Sequence, residues 1–288
     1  MPPSISIIVP AYNEAVRLGK SLGTILEYLN AERDESELIV VDDGSSDDTL
    51  RVAEESLRDA GRVRARVIPI RPNRGKGYAV RTGLLAASAP VALFTDADLS
   101  TPITETPKLV SPIERGVYDL TFGSRALDRS LIGVHQPWRR EQGGRVINLI
   151  VRLATGLPFW DTQCGFKAFR MAVCQPLAEV ATIERFGFDV EYLSVAHLAG
   201  LRLREIPVRW DHNEGSKLSV WRDTPRLLAE VRTIRRQARR GLYDQAIAAV
   251  RARQEKERAR PLDMEARDSE PSALEDSAEV VSAAPEIQ

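Results

Sequence analysis

The sequence predicts an α/β protein whose mostly parallel central sheet is flanked by helices. An apolar or β-branched run, a polar loop and a helical stretch follow one another four times in the first part of the chain. Such an order, with short links, specifies parallel strands joined by right-handed crossovers. A chain of 288 residues with 43% apolar content can also bury a full core, as one large domain or two small ones.

Each element is predicted from its own residue pattern. Runs rich in apolar and β-branched residues suit strands that are buried on both faces. Such runs lie at residues 4–9, 37–41, 65–70, 91–94 and 118–122. Apolar residues at helical spacing predict helices from Glu14 onward, over 50–60, in the stretch ending at Ala87, and over 144–155 and 225–242.

The fourth strand ends in two carboxylates, Asp96 and Asp98, separated only by Ala97. Alternate residues of an extended segment point to opposite faces, so both carboxylates can reach one ion only if the chain turns there. Ala97 and Ser100 are small enough to allow that turn. Two hard oxygen ligands predict a Mg²⁺ or Mn²⁺ site that holds a diphosphate. The alternative is a polar strand end that merely caps a helix.

The exit of the first strand also carries polar residues, within the segment Pro10, Ala11, Tyr12, Asn13 and Glu14. A rigid turn, a flat ring and a carboxylate together indicate a seat for a nucleobase. In the alternative interpretation Asn13 simply caps the following helix.

The second and third strand exits add charged groups. Asp42 and Asp43 end the second strand, and one of them could accept from a base N–H or a ribose hydroxyl. The alternative for these residues is helix capping. At the third exit, Arg74 and Lys76 place cations at a helix N-terminus, where anions are stabilised. An ordinary basic turn would show the same residues.

Composition excludes several other classes. The formal net charge of −1 argues against general nucleic-acid binding. Two cysteines and three widely separated histidines make a disulfide framework or a zinc site improbable and favour a reducing compartment. No apolar run approaches the ~18 to 20 residues of a membrane span. The N-terminal segment lacks the features of a signal peptide, so we expect a cytoplasmic protein.

Four motifs together resemble the family-2 glycosyltransferases of the GT-A fold over roughly residues 4–240. They are PAYNE at 10–14, VVDDGSSDDT at 40–49, NRGKGYAV at 73–80 and TDADLS at 95–100. The resemblance implies a nucleotide-sugar donor, a metal ion at Asp98 helped by Asp96, and nucleotide contacts from Pro10, Ala11, Tyr12, Glu14, Asp43 and Lys76. With Asp42, Asp96 and Ala97, these are the candidate donor-binding residues. Ser100 stands where mannosyl-transferring relatives often have a glutamine ligand, so a third protein ligand at Ser100 stays open. A sugar nucleotidyltransferase would instead begin with a glycine-rich loop.

The second half of the chain indicates the acceptor. Arg125, Arg139 and Arg140 could clamp a second phosphate, or they could form a solvated loop. The segments 161–170, 184–193 and 212–221 resemble the dolichyl-phosphate glucosyltransferase branch of the family. Phosphomannosyl-type polyprenol synthases are close relatives of this branch. The similarity places a set of polar residues around the donor and acceptor phosphates: Arg125, Arg139, Asp161, Gln163, Lys167, Asp189, Glu191, Ser216 and Lys217. The candidate catalytic residues are Asp96, Asp98, Arg125, Arg139, Asp161 and Lys217.

The acceptor decides the expected mechanism. A phosphomonoester is largely dianionic at neutral pH, so it can attack the anomeric carbon with inversion and without a general base. A hydroxyl acceptor would need a carboxylate base, with Asp161 and Asp189 as candidates. We expect transfer of glucose from UDP-glucose to a polyprenyl or dolichyl phosphate. The alternatives are GDP-mannose as donor, a hydroxyl acceptor, or a nucleotide-sugar sensor without turnover.

Two predicted helices could touch a membrane. In 144–155 a broad apolar face leaves only a narrow polar stripe, whereas 225–242 carries five arginines opposite its apolar residues. Each pattern suits either an interfacial helix or a helix of the core. We expect a transferase domain at 1–243, divided into a nucleotide-sugar half (1–123) and an acceptor half (124–243). A helical extension (244–260) and a disordered acidic tail (261–288) follow, and we expect the protein to lie on the cytoplasmic face of the membrane.

Overall fold

The computed structural model describes residues 4–33, 35–134, 138–212 and 220–259, with only the backbone described for 138–142, 145, 220–223 and 259. The predicted acidic tail at 261–288 therefore lies outside the described residues. Strands are formed by Ile5–Ala11 (β1), Ser36–Asp42 (β2), Arg64–Pro69 (β3), Val91–Thr95 (β4), Leu120–Ser124 (β5), Ile132–Val134 (β6), Phe166–Arg170 (β7), Leu203–Pro207 (β8) and Trp210–Asp211 (β9). Helices are formed by Leu18–Glu32 (α1), Thr49–Ser56 (α2), Lys76–Ala86 (α3), Thr106–Glu114 (α4), Trp138–Thr155 (α5), Met171–Val180 (α6), Phe188–Ala199 (α7), Val220–Arg239 (α8) and Asp244–Ala259 (α9).

The central sheet has seven strands in the order β3-β2-β1-β4-β7-β5-β8, and β6 pairs with β9 in a separate two-stranded sheet. The neighbours β3, β2, β1 and β4 are parallel, as are β5 and β8. Strand β7 runs antiparallel to both β4 and β5. The predicted mostly parallel α/β sheet is confirmed. Strands β6 to β9, including the antiparallel β7, were not predicted from the sequence.

Alternate residues of β1 supply two core layers, one on each face of the sheet. Ile5, Ile7 and Val9 pack with α1 and α4, whereas Ile8 packs with a larger cluster that includes residues of α3, α7 and α8. All seven residues of β1 are buried. Burial on both faces explains why this strand is a continuous apolar run.

The two amphipathic helices of the second half differ in what covers their apolar faces. In α8, Leu227, Val231 and Ile234 are at most 4% exposed, so this helix packs into the core and turns its arginines outward. In α5, by contrast, Leu149 and Leu153 are 51% and 77% exposed. The core interpretation is therefore the right one for α8, whereas α5 leaves apolar surface uncovered.

Helix α9 packs on the domain through apolar residues such as Val250, which is fully buried, and it also contacts a buried carboxylate. Asp119, which is fully buried, accepts hydrogen bonds from Arg170 (2.6 Å) and Arg202 (2.9 Å), and from the Gln254 amide of α9 at 3.4 Å. Burial alone would raise the pKa of Asp119, but the hydrogen bonds from Arg202 and the charge of Arg170 bring it below its usual value. Among the described helices, none is long and apolar enough to cross a bilayer.

Candidate functional site

A pocket of about 320 Å³ lies where the carboxyl ends of β1, β2 and β4 meet the N-terminus of α3. Ligands of open α/β sheets bind at this edge. The pocket is lined by Pro10, Ala11, Tyr12, Glu14, Arg17, Asp43, Asn73, Gly75, Lys76, Ala79, Asp96, Ala97, Asp98, Arg185 and Phe186. All the predicted donor-binding residues except Asp42 are therefore brought together in one cavity.

The acidic pair lies on a turn, as its spacing required. The amide of Leu99 donates to the carbonyl of Asp96 at 3.1 Å, and Leu99 has a left-handed φ of 48°. The amide of Ser100 donates to a carboxylate oxygen of Asp98 at 3.0 Å. Because the chain turns here, Asp96 and Asp98 both line the pocket.

Strand β7 reaches the acidic pair through Gly165, the residue before it. The amide of Asp96 donates to the carbonyl of Gly165 at 3.2 Å. A β-carbon at Gly165 would collide with the Asp96 carboxylate. Gly165 therefore leaves the space that the Asp96 side chain occupies.

Lys76 and Arg17 place positive charge beside the two aspartates. The Lys76 Nζ lies 2.5 Å from Asp96 Oδ1, and one Arg17 Nη lies 3.8 Å from Asp98 Oδ2. Burial alone would lower the pKa of Lys76, but the charges of Asp96 and Asp189 raise it overall. Lys76 is therefore a cation inside the pocket. Arg17, which also hydrogen-bonds Glu14, was not singled out from the sequence, although its position three residues after Glu14 puts both on one side of the chain.

Asp43 shapes the pocket wall rather than presenting a free carboxylate. It accepts hydrogen bonds from the Asn73 side chain (2.8 Å) and from the amides of Arg74 (2.9 Å) and Gly75 (2.7 Å). Burial raises the pKa of Asp43, and these two amides act in the opposite direction. Asp42 is fully buried, does not line the pocket and accepts from the Ser45 amide at 3.3 Å.

The first strand exit is joined to the second, so the capping interpretation of Asn13 is wrong. Helix α1 begins at Leu18, and the Asn13 side chain accepts from the Ser46 amide at 2.8 Å. Asn13 has a left-handed φ of 53°. Beside it, the Tyr12 ring is 41% exposed and lines the pocket.

Arg125 and Asp161 form an ion pair with each other. Asp161 is 1% exposed and accepts from Arg125 Nε (2.7 Å), Nη2 (2.8 Å) and the backbone amide (3.0 Å). Burial alone would raise the pKa of Asp161, but Arg125 holds it below its usual value. Glu205 fixes this segment by accepting from the Asp161 amide at 2.8 Å. Asp161 is thus a partner of Arg125 and is not placed as a general base.

Other buried charged side chains of the second half have their partners inside the protein. Lys167 is fully buried, and its Nζ lies 2.6 Å from a carboxylate oxygen of Asp189. Asp189 is 3% exposed. Glu191, 1% exposed, accepts from the Thr182 and Ile183 amides at 3.0 and 2.9 Å. None of these side chains is among those that line the pocket, so their predicted place around the phosphates stays a prediction.

Several predicted residues cannot be placed in the pocket. Ser100 is 8% exposed and is not one of the lining residues, so its role as a metal ligand stays a prediction. Gln163 lies outside the lining set, and its amide bonds Asp161. The side chains of Arg139 and Arg140, and the whole of Ser216 and Lys217, lie outside the described residues.

The acidic pair fits a divalent cation. Its donors are carboxylate oxygens, which Mg²⁺ and Mn²⁺ prefer. Within the part of the chain that the structure describes, no three His, Cys, Asp or Glu side chains form a metal-binding group. An ion held here would take Asp96 and Asp98 from this part of the protein and the remaining oxygens from phosphate and water, as Mg²⁺ commonly does with nucleotide substrates.

Two lining residues, Arg185 and Phe186, come from the loop before α7 and were not singled out from the sequence. They lie inside the segment 184–193, whose resemblance to family motifs was the available signal. The loop sits against the N-terminus of α3, because the Tyr78 amide donates to the carbonyl of Glu184 at 3.1 Å.

This sheet, with an acidic turn and cations at its carboxyl edge, defines an α/β protein of the GT-A type. Solved structures agree on the fold. A glucosyl-3-phosphoglycerate synthase of Mycobacterium tuberculosis, in complex with Mn²⁺, UDP-glucose and phosphoglyceric acid, superposes with a TM-score of 0.57 at 22% identity, covering 81% of this chain and 79% of that one. A further mycobacterial protein superposes with a TM-score of 0.56 at 24% identity, covering 80% of this chain and 74% of that one.

The sequence matches glycosyl transferase family 2 over residues 6–177, and the chain belongs to that family. Its relatives include dolichyl-phosphate beta-glucosyltransferases. The one from Drosophila melanogaster is 36% identical, over 75% of this chain and 69% of the relative. The human one is 35% identical over 74% and 69%, and one from Trichomonas vaginalis is 34% identical over 75% and 68%.

Proposed function

We propose that this protein transfers glucose from UDP-glucose to a polyprenyl or dolichyl phosphate, with a divalent cation at Asp96 and Asp98. The relatives named above support the reaction class, since their names specify glucose and dolichyl phosphate. The pocket supports the donor, since it combines an exposed aromatic ring, an acidic turn and a lysine. When bound, the cation would supply Lewis-acid stabilisation of the leaving diphosphate.

The observation that carries the choice of acceptor is the state of the two candidate bases. Asp161 is bound to Arg125, and Asp189 is bound to Lys167. Both carboxylates are nearly inaccessible. A phosphate acceptor needs neither of them, because its dianion is already a nucleophile at neutral pH. A hydroxyl acceptor would require one of them to be released first.

The side chains of this chain then have two tasks. Lys76 neutralises charge near the diphosphate, and Arg125, oriented by Asp161, contributes a guanidinium on the acceptor side. Two phosphates repel each other as they approach, so these cations reduce the cost of bringing the reactants together. Attack from the side opposite the leaving group inverts the anomeric centre, which gives a β-linked product from the α-linked donor.

The acceptor lipid gives the uncovered face of α5 a role. Val146, Leu149, Ile150 and Leu153, called here the α5 stripe, lie at helical spacing and are between 37% and 77% exposed. Trp160 is 55% exposed, and the Arg152 guanidinium lies 4.1 Å from the centre of its ring. Tryptophan is enriched at membrane interfaces.

Trp160 also links this surface to the proposed site, since it directly precedes Asp161, the partner of Arg125. We propose that the α5 stripe and Trp160 contact the bilayer that contains the acceptor.

The test is an assay with Mn²⁺, short-chain polyprenyl phosphate and either radiolabelled UDP-glucose or GDP-mannose. Label from UDP-glucose in the organic phase, in a β-linkage assigned by NMR, is the expected result. Asp98→Ala should abolish transfer, whereas Asp59→Ala, at an exposed position beyond α2, should not. Transfer from GDP-mannose alone would refute UDP-glucose as the donor. Nucleotide binding without transfer to any lipid would refute the proposal that the protein is an enzyme.

A further inference from the structure

The loop of residues 182–187 forms one wall of the pocket and is held at several points. The Tyr78 amide of α3 donates to the carbonyl of Glu184 at 3.1 Å, and the Glu184 carboxylate pairs with Arg74. At the other end, the Gly187 amide donates to Glu230 of α8 at 2.7 Å. These bonds keep the middle of the loop, Arg185 and Phe186, against the cavity.

Two glycines of the α3 N-terminus make this close approach possible. A β-carbon at Gly75 would lie 2.9 Å from Arg185 Cγ and 2.5 Å from the carbonyl oxygen of Glu184. At Gly77 it would collide with the carbonyl oxygen of Ile183. The Arg185 side chain thus leaves the loop beside the first turn of α3, which also carries Lys76.

Arg185 contributes a positive charge that the described protein does not neutralise by direct contact. It is half-buried, and within residues 4–33, 35–134, 138–212 and 220–259 its guanidinium has no hydrogen bond or ion pair. Two carboxylates act on it electrostatically, Asp43 and Glu230. Both are already occupied by backbone amides, of Gly75 and Gly187 respectively.

We infer that Arg185 binds the diphosphate of the nucleotide-sugar donor, on the side of the α3 N-terminus. This inference rests on the proposed function in taking a nucleoside diphosphate as the donor. A guanidinium presents a planar fork of donors that matches phosphate oxygens, and the first turn of a helix favours an anion. Arg185, Lys76 and the cation held by the acidic pair then surround the diphosphate.

The test compares the affinity of the full-length protein for UDP and for uridine by calorimetry. Arg185→Gln should weaken UDP binding 10- to 100-fold, which is the effect of losing a charge-assisted hydrogen bond. The affinity for uridine should stay within twofold of wild type. Arg185→Lys should give an intermediate loss, because it keeps the charge without the fork. Arg115→Gln is the control, since Arg115 is exposed at the amino-terminal end of β5, away from the pocket.

Three outcomes would count against parts of this account. UDP binding within twofold of wild type in Arg185→Gln would overturn the inference. Equal losses for UDP and uridine would also overturn it, because the arginine would then shape the loop or the base seat. Binding of GDP in place of UDP by the wild-type protein would refute the proposed donor, and the same comparison made with GDP and guanosine would still decide the role of Arg185.

Discussion

Replacing two leucines of the α5 stripe tests whether this surface binds a bilayer. Leu149 and Leu153 are 51% and 77% exposed, so the pair presents somewhat more than one whole leucine side chain. Burying a full leucine is worth about 1.5–3 kcal/mol, so the pair would contribute roughly 2–4 kcal/mol. Leu149→Ser with Leu153→Ser should therefore reduce partitioning onto vesicles by roughly 30- to 700-fold.

The assay is co-sedimentation with vesicles of mixed neutral and anionic phospholipid. A matched control replaces Leu85 and Leu198, which are 41% and 48% exposed on α3 and α7. Activity on a short, water-soluble polyprenyl phosphate should be unchanged in the stripe variant, because the pocket residues are intact. A fall in partitioning of less than threefold, or an equal fall in the control, would refute the assignment of this face to the membrane.

Three further predictions concern the pocket and its supports. Gly165→Ala should displace the Asp96 carboxylate and weaken Mn²⁺-dependent UDP binding at least tenfold in calorimetry; unchanged affinity would contradict the contact with Asp96. Asp119 has a lowered pKa, so its stabilisation is complete above its unfolded-state pKa of about 4 and is lost as the pH falls through the folded-state value. The free energy of unfolding, measured in urea from pH 6 to pH 3, should thus fall less steeply for Asp119→Asn than for wild type. Parallel curves would show that Asp119 is not a source of the pH dependence. Arg125→Lys keeps the charge but loses the paired bonds to Asp161, so KM for the acceptor should rise several-fold more than KM for UDP-glucose. Equal changes in the two KM values would contradict the proposal that Arg125 binds the acceptor.

The donor half was predictable because its signals are local. Each buried parallel strand is an apolar run, and the carboxyl ends of such strands must meet at one edge. The turn at Asp96 and Asp98 followed from the alternation of side chains along a strand. The pocket accordingly contains both aspartates, Lys76 and the Pro10–Glu14 segment apart from Asn13.

The supports of the site were not predictable in the same way. Arg125 and Asp161 are 36 residues apart in the sequence. Their pairing depends on β5 lying beside β7 and the segment that precedes it. Arg17 and Arg185 reach the pocket from the start of α1 and the loop before α7. No local spacing encodes these contacts, because they join segments that are distant in the chain.

By itself, the sequence determined the α/β class, the parallel strands and the chemistry of their carboxyl ends, since hydrophobic periodicity and strand-end residues are local properties. Only the tertiary structure decided that β7 runs antiparallel between β4 and β5, and that Asp161 holds Arg125. It also decided which amphipathic helix is covered. The patterns of α5 and α8 each allowed a core or an interfacial helix, and the difference arises because an apolar face is buried only where another part of the chain packs on it.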